Sequence, residues 1–420
     1  MHVFWDILQI VGSLGIFIYG MKIMSEGLQK VAGDRLRQIL RGMTTNRFTG
    51  VLTGTLVTFL IQSSSATTVM VVSFVNAGLL TLGESLGVIM GANIGTTITA
   101  WMVTIFGFKV KITPIAVALI GVSFPFLFSN RERLKHAAEF IVGFGILFIG
   151  LQFLKESVPD LKENPEALKF IQSFTDKGFL STIIFVIVGT LLTIVVQSSS
   201  ASSTITLIMV AKGWIPFELG AAMILGENIG TTITANIAAI IANVHAKRAA
   251  RFHFLFNVIG VIWILAAMPF FLQLVQNSID SVLDFVANRF NKPDIYQDEG
   301  LLSLALFHSM FNITNVLLLV GFVPLMAQLV VRMVPSKGGD DEEFKLKYIQ
   351  TGLMDTAQIS IENAKKELKS FAKLIDKMFH NTYALLFEEQ RNPSLLIDKI
   401  ARREELTDTL ELELNDYLSK

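Results

Sequence analysis

Two apolar stretches of this chain, Phe48–Asn76 and Phe179–Ala211, are interrupted by the same polar tetrapeptide. It stands as Gln62-Ser63-Ser64-Ser65 in the first and as Gln197-Ser198-Ser199-Ser200 in the second, 135 residues apart. Irregular polar backbone at membrane depth is tolerated only where protein buries it or a cavity hydrates it. Each stretch therefore reads as a helical hairpin that enters the bilayer and returns on one side. The composition supports a membrane setting: 52% of the 420 residues are hydrophobic, 17% are charged, and the mean hydropathy is +0.55. A soluble domain carries about 25% charge. The charge here is concentrated at the end, where residues 337–420 hold thirteen Lys/Arg and seventeen Asp/Glu of the chain's 70 charged residues.

Crossing the hydrocarbon core takes about 20 apolar residues. Seven stretches meet that need: Phe4–Met24, Leu82–Phe106, Ile112–Phe128, Leu134–Leu154, Phe217–Asn243, Phe252–Val275 and Leu301–Met333. The first lacks a basic leader and a cleavage site and reads as a retained membrane helix. Basic residues gather in the loops that face the cytoplasm when the N-terminus is outside. These are Lys30, Arg35, Arg37, Arg41 and Arg47, then Arg131, Arg133 and Lys135, then Lys247, Arg248 and Arg251. The expected outside loop, Gln276–Gly300, holds Arg289 and Lys292 against Asp280, Asp284, Asp294, Asp298 and Glu299. Seven crossings bring the charged tail to the cytoplasm.

A second motif repeats at the same offset. Gly91-Ala92-Asn93-Ile94-Gly95-Thr96-Thr97-Ile98-Thr99-Ala100 returns as Gly226-Glu227-Asn228-Ile229-Gly230-Thr231-Thr232-Ile233-Thr234-Ala235, identical at nine of ten positions. Gly54-Thr55 and Gly189-Thr190 keep the offset, and Gly15, Ile16 and Gly20 echo Gly145, Ile146 and Gly150 at 130. Three crossings separate the two hairpins, so the second copy is expected upside down. Inverted repeats of interrupted membrane segments point to a secondary transporter with its site at the repeat interface. The expected fold is an all-α polytopic membrane protein of two inverted-topology repeats, each with a re-entrant hairpin and a broken helix, followed by a small cytoplasmic helical domain. The boundaries are 1–130 for the first repeat, 131–275 for the second, 276–336 for the outside loop and last membrane helix, and 337–420 for the tail.

Chemistry narrows the function. Zero net charge argues against nucleic acid as a partner, and the absence of cysteine removes disulfides, thiolate metal sites and cysteine nucleophiles. The six histidines form no metal-ligand pattern, and no nucleophile–base–metal set is visible, so the chain is not read as an enzyme and needs no resident cofactor. A helix break exposes backbone N–H groups where the dipole favours an anion, and three successive serines add short hydroxyl donors. Gln, Asn and Thr oxygens, with carbonyls freed at breaks, are hard neutral ligands suited to Na⁺. Between Phe48 and Phe108 the only charged residue is Glu84, so that copy offers no Arg or Lys clamp. A multivalent anion there would need helix ends and co-bound cations, which is a physical reason for sodium coupling. Ser and Thr also bond back to their own helix or glue helices together. Gly91, Gly95, Gly226 and Gly230 fit either close packing or helix breaking. Glu227, opposite Ala92, is a candidate cation or proton site or a carboxylate paired beside a wet cavity. Glu84 and Glu218 suit helix starts; His253 and His308 suit helix-to-helix hydrogen bonds.

These motifs resemble the sodium–phosphate cotransporter family, the type II group and its bacterial relatives, over roughly residues 5–330. The resemblance implies Na⁺-driven symport of inorganic phosphate across the cell membrane by alternating access. It implies that Ser63, Ser64, Ser65, Ser198, Ser199 and Ser200 line the phosphate site. Gln62, Gln197, Asn93, Asn228, Thr96, Thr97, Thr231 and Thr232 would serve Na⁺ or hold the hairpins. Glu227 departs from the family's small residue. The tail is similar to the first half of a PhoU-like helical domain, with a turn at Asn392-Pro393, two amphipathic helices and the potential for a homodimer. Glu404 and Asp408 match that domain's metal motif, a spacing common on any solvated helix, and no metal beyond Na⁺ is assigned. Two other functions stay open: a Na⁺-coupled carrier of sulfate or a dicarboxylate, and a phosphate-binding membrane sensor.

Overall fold

The computed structural model describes residues 2–32, 46–76, 80–109, 112–158, 173–240, 242–290, 299–335 and 357–387, with scattered residues from 393 to 415. All regular structure among them is helical. Arg35, Arg37, Arg41, Lys111, Lys292, Asp294, Asp298 and the whole stretch 336–356 lie outside the described residues. So does Asn392, the expected turn in the tail.

The chain starts with α1 (His2–Ala32) and enters the first hairpin as α2 (Arg47–Ile61) and α3 (Ser64–Asn76). Helix α4 (Leu82–Met102) follows and relaxes into a π-helical turn at Val103–Lys109. Helix α5 (Ile112–Ser123) continues as a 3₁₀ segment through Phe128, and α6 is Glu132–Ser157. The second hairpin is α7 (Phe179–Val196) and α8 (Ser199–Ala211), followed by α9 (Phe217–Ala238). Then come α10 (Val244–Phe290), α11 (Glu299–Leu319), α12 (Val323–Met333) and the tail helix α13 (Ala357–Phe387). The chain is a multi-pass membrane protein: among the described residues six helices are long and apolar enough to cross a bilayer.

The expected crossings need three adjustments. Phe179–Val196, expected as a hairpin arm, is itself among those six. Ile112–Phe128 is shorter, but 3₁₀ backbone rises about 2 Å per residue, so its 17 residues reach about 28 Å. Helix α9 has the length but carries Glu218 and Glu227 and is buried along most of its course. A larger correction concerns α10, which is helical for 47 residues with Pro269 inside it. Lys247, Arg248 and Arg251 therefore lie in its first turns, and the expected loop at Gln276–Gly300 is helix as far as Phe290. Its apolar run simply lacks a stop signal: no Gly or Pro stands between Pro269 and Phe290.

Glycine sets how the helices pack. A Cβ on Gly20 would lie 2.3 Å from the Leu147 backbone, one on Gly150 2.4 Å from Phe17, one on Gly143 2.2 Å from Met24, and one on Gly27 2.5 Å from Phe140. The residue numbers in each pair add to the same total, so α1 and α6 run antiparallel in backbone contact. On α4 the rule is different. Cβ atoms on Gly87, Gly91 and Gly95 would lie 2.5, 1.9 and 2.7 Å from the carbonyls of Arg47, Val51 and Thr55. That constant separation means that α4 runs parallel to α2. Gly226 and Gly230 repeat it against Val186 and Thr190, at 1.9 and 2.7 Å. In both copies a threonine spans the seam: Thr55 Oγ1 donates to the Gly91 carbonyl at 3.1 Å and Thr190 Oγ1 to that of Gly226 at 3.0 Å. The four motif glycines are therefore packing glycines in unbroken helices, and the expected break at them is not present. Small residues let membrane helices approach where no hydrophobic driving force separates helix from lipid.

Two apolar clusters follow from this packing. One joins α2, α3 and α4 to the start of α10 and to α12; the other joins α7, α8 and α9 to α1, α6, the middle of α10 and α11. The stacked rings of Phe252 and Phe256 belong to the first cluster, those of Phe307 and Phe311 to the second. Phe4, Trp5, Phe124, Phe126, Phe128 and Val195 are exposed on the outer surface, as lipid-facing side chains are. In the tail, α13 buries Ala364 and Leu374 and leaves Phe379 and Phe387 exposed.

Gly91→Ala should lower stability by about 2 kcal/mol or more, because the helices must separate to admit the methyl group. Gly12→Ala, where a Cβ meets nothing within 4 Å, should be neutral or mildly stabilising. Thermal unfolding of the detergent-solubilised protein, followed by tryptophan fluorescence, checks both. Equal melting temperatures for the two variants would refute the packing role of Gly91.

Candidate functional site

Each hairpin turns on a glutamine. Gln62 and Gln197 are the only non-glycine residues with positive φ among the described residues, at φ 57°, ψ 26° and φ 55°, ψ 22°. A left-handed residue with a Cβ costs about 1–2 kcal/mol, so something must hold each in place. Gln62 Nε2 donates to the Phe59 carbonyl at 2.5 Å, and Thr99 Oγ1 on α4 donates to Gln62 Oε1 at 2.9 Å. The second copy repeats both bonds: Gln197 Nε2 to the Ile194 carbonyl at 2.5 Å, and Thr234 Oγ1 to Gln197 Oε1 at 3.2 Å. In the first copy Thr58 and Thr67 join their hydroxyls across the turn at 3.0 Å, which fixes the reversal of the chain.

The serines that follow have divided tasks. Ser198 caps α8, its Oγ accepting from the Ala201 N–H at 3.2 Å, and Ser63 Oγ accepts from the Ala66 N–H at the same distance. The hydroxyls of Ser64, Ser65, Ser199 and Ser200 have no hydrogen-bond partner among the described residues. A helix also leaves its first N–H groups without intrahelical acceptors. Both hairpin turns open on one cavity of about 330 Å³, lined by Gln62, Gln197 and all six serines. The arrangement offers hydroxyl and amide donors from two helix N-termini to a compact oxyanion.

The other candidates are placed elsewhere. Asn93, Asn228, Thr96, Thr97, Thr231 and Thr232 do not line this cavity; they sit on α4 and α9, bonded to their own helices. Asn93 Nδ2 donates to the Ile89 carbonyl and Asn228 Nδ2 to that of Ile224, both at 3.0 Å, which leaves each Oδ1 without a donor among the described residues. Thr96 and Thr231 bond back to the carbonyls of Ala92 and Glu227, Thr97 and Thr232 to those of Ile94 and Ile229.

Glu227 is buried between α8 and α9, where it accepts hydrogen bonds from Ser203 and, at 2.6 Å, from Thr206. At the matching positions of the first copy stand Ala92, Thr68 and Val71. Glu84 closes a capping box with Thr81, its Oε2 accepting from the Thr81 N–H at 2.8 Å, as a residue at a helix start should. His253 is buried with neither ring nitrogen partnered, so the expected helix-to-helix hydrogen bond is not formed there. Glu404 and Asp408 join no group of metal-ligating side chains among the described residues.

Sequence reasoning missed the wall that α1 contributes. Ile18, Met21, Lys22, Ser25, Glu26 and Gln29 line the same cavity. Ser25 Oγ donates to the Ile61 carbonyl at 2.5 Å, satisfying the end of α2 just before Gln62, and Gln29 Nε2 donates to Ser25 Oγ at 2.9 Å. The absence of a cationic clamp thus holds for the hairpin stretch alone, because Lys22 arrives from another helix. No repeated motif marks these positions. Their only signal is polar residues spaced three and four apart on an otherwise apolar helix.

Comparison with known proteins places the chain in a family. The family described as Na⁺/Pi-cotransporter matches residues 16–156 and 164–283. The chain belongs to the Na⁺/Pi-cotransporter family. That family is one of transporters, not enzymes. A Salmonella typhimurium protein named for inorganic phosphate export, YjbB, is 26% identical over 390 residues, 93% of this chain and 67% of that one. The Escherichia coli counterpart is 25% identical, and this chain spans 66% of it, about two thirds of the length. The human sodium-dependent phosphate transport protein 2B is 40% identical over 98 residues, 23% of this chain and 14% of that one. No solved structure matches the chain.

Gln62→Gly should be more stable than Gln62→Ala by about 1 kcal/mol, because glycine enters the left-handed region without strain while both variants lose the bond from Thr99. Melting temperatures of the two purified variants measure this, and an alanine variant equal to the glycine one would show that the turn is not held left-handed.

Proposed function

We propose that this member of the family carries inorganic phosphate across the cell membrane by Na⁺-coupled symport. The observation that carries the reading is the single cavity on which both Gln-Ser-Ser-Ser turns open, with four hydroxyls awaiting an acceptor. Ser64, Ser65, Ser199 and Ser200 donate to the phosphate oxygens. Ser63 and Ser198 hold the helix ends by accepting a backbone N–H, and each keeps its own proton free to donate to the anion. Na⁺ is held by neutral oxygens of Gln62, Gln197, Asn93, Asn228, Thr96, Thr97, Thr231 and Thr232. The bonds Thr99–Gln62 and Thr234–Gln197 then join the helices that hold the cation to the turns that hold the anion, a direct path for coupling.

Alternating access draws support from the antiparallel contact of α1 with α6 and from the two hairpins, which share the glutamine, serine-cap and threonine-seam bonds at one offset. Exchange of inward- and outward-facing states between two inverted halves is how such repeats work. The charge asymmetry of the loops supports an outside N-terminus and a cytoplasmic α13. The relatives' names favour phosphate as cargo, one of them specifying export and the other sodium dependence.

Radiolabelled phosphate uptake into proteoliposomes tests the proposal. Accumulation against the gradient is expected with inward Na⁺ and not with K⁺, and excess sulfate should leave it intact. Ser64→Ala combined with Ser199→Ala should reduce uptake to background in a folded protein. Wild-type uptake by that double variant would remove the serines from the site, while inhibition by sulfate would reassign the cargo.

A further inference from the structure

Among the described residues the cavity has one cationic and one anionic side chain in its lining, and both come from α1. Lys22 and Glu26 stand one turn apart, Lys22 Nζ 3.8 Å from Glu26 Oε1, with side chains 67% and 48% exposed. Ionisable groups in a membrane helix turn toward water-filled cavities and mark the path of substrates and ions. A pair of this length and exposure is held weakly, so a stronger anionic partner can displace the carboxylate from the ammonium. The backbone behind the pair is fixed. Gly20 and Gly27 seat α1 against α6, and Ser25 ties it to the end of α2, so Lys22 is presented to the serines from a rigid wall.

We propose that Lys22 supplies the fixed positive charge for the transported anion and that Glu26 tunes it, giving the site a preference for a dianion over a monoanion. This deepens the phosphate-transport reading and rests on it. Hydroxyls and helix ends contribute only partial charges, about half an elementary charge at a helix end, so the energy by which they favour two negative charges over one is smaller than a full charge supplies. An ammonium group discriminates, because its attraction grows with the charge of the anion, and it is a common point-charge partner of phosphate. With the cavity empty, Glu26 neutralises Lys22. When a dianion enters, the ammonium turns to it and Glu26 is released.

The second half of the molecule shows that this charge is not a by-product of the repeat. At the 130-residue offset that relates α1 to α6, Lys22 corresponds to Gln152 and Glu26 to Glu156. Gln152 Nε2 donates to Glu156 Oε1 at 2.5 Å, so the same spacing persists with an amide in place of the ammonium. Among the described residues only the α1 side brings a positive charge to the cavity.

The test is the rate of phosphate uptake by full-length protein in proteoliposomes, measured in mildly acidic and mildly alkaline buffer, where the monoanion and the dianion predominate respectively. Lys22→Gln should raise KM about tenfold for the dianion and distinctly less for the monoanion, with kcat within about twofold. Lys22→Arg should keep the wild-type preference, and Glu26→Gln should lower KM for the dianion about threefold. A Lys22→Gln protein with wild-type KM in both buffers overturns the proposal. If that variant does not fold, Glu26→Gln decides: an unchanged KM overturns the proposal, a lowered one upholds it. A wild-type chain that takes up no phosphate would sink the transport reading itself, and this inference with it.

Discussion

Everything in this structure depends on how backbone hydrogen-bonding groups are satisfied at membrane depth. A helix can hide its own N–H and C=O groups from lipid, but a turn cannot. The two hairpins resolve this by concentrating the irregular backbone at one residue each. Gln62 and Gln197 take the left-handed conformation, give their amides to carbonyls three residues earlier, and accept from Thr99 and Thr234. The carbonyl of Ile61, left over at the end of α2, goes to Ser25 of α1. What remains unsatisfied is the donor side: the first N–H groups of α3 and α8 that Ser63 and Ser198 do not cap, and the hydroxyls beside them. The demand for an acceptor at that place defines the site.

The same demand explains why glycine and threonine occur together in both copies. Backbone contact between α2 and α4 requires Gly87, Gly91 and Gly95, since a Cβ at Gly91 would sit 1.9 Å from the Val51 carbonyl. Contact that close lets Thr55 reach the Gly91 carbonyl and brings Thr99 within reach of Gln62. The glycines thus act at a distance, by setting the separation at which the threonines can hold the turn. Reading them as helix breakers assigns the irregularity to the wrong element, because the break lies at Gln62 and Gln197.

The helices, the duplication and the convergence of the serine motifs are legible in the sequence, since each rests on a local pattern or on a repeated word. Hydrophobic length marks the crossings, and an offset of 135 residues pairs Gln62 with Gln197 without any coordinates. Three features lack such a signature. Lys22 and Glu26 join the site only because α1 packs beside a hairpin more than 30 residues away, a relation with no spacing rule. Helix α10 runs on past the expected loop because nothing in Gln276–Phe290 compels it to stop. Whether a glycine packs or breaks is decided by its partner, here the carbonyls of Val51 and Val186, and not by its neighbours in sequence.

A buried difference in chemistry between the two halves follows the same logic of satisfaction. Glu227 replaces Ala92 in the heart of α9, a buried carboxylate with no ion-pair partner among the described residues. Two further positions change with it: Thr68 gives way to Ser203 and Val71 to Thr206, and both hydroxyls donate to Glu227. In the first half the Thr68 hydroxyl is buried without a partner, because alanine offers it no acceptor. The three differences therefore form a single unit, a carboxylate together with the donors that make its burial tolerable. A duplicated fold that keeps its hinge residues, seams and serines alike in both halves while altering this unit in only one cannot have two energetically equivalent halves. The burial of Glu227 therefore depends on Ser203 and Thr206 staying within reach of it.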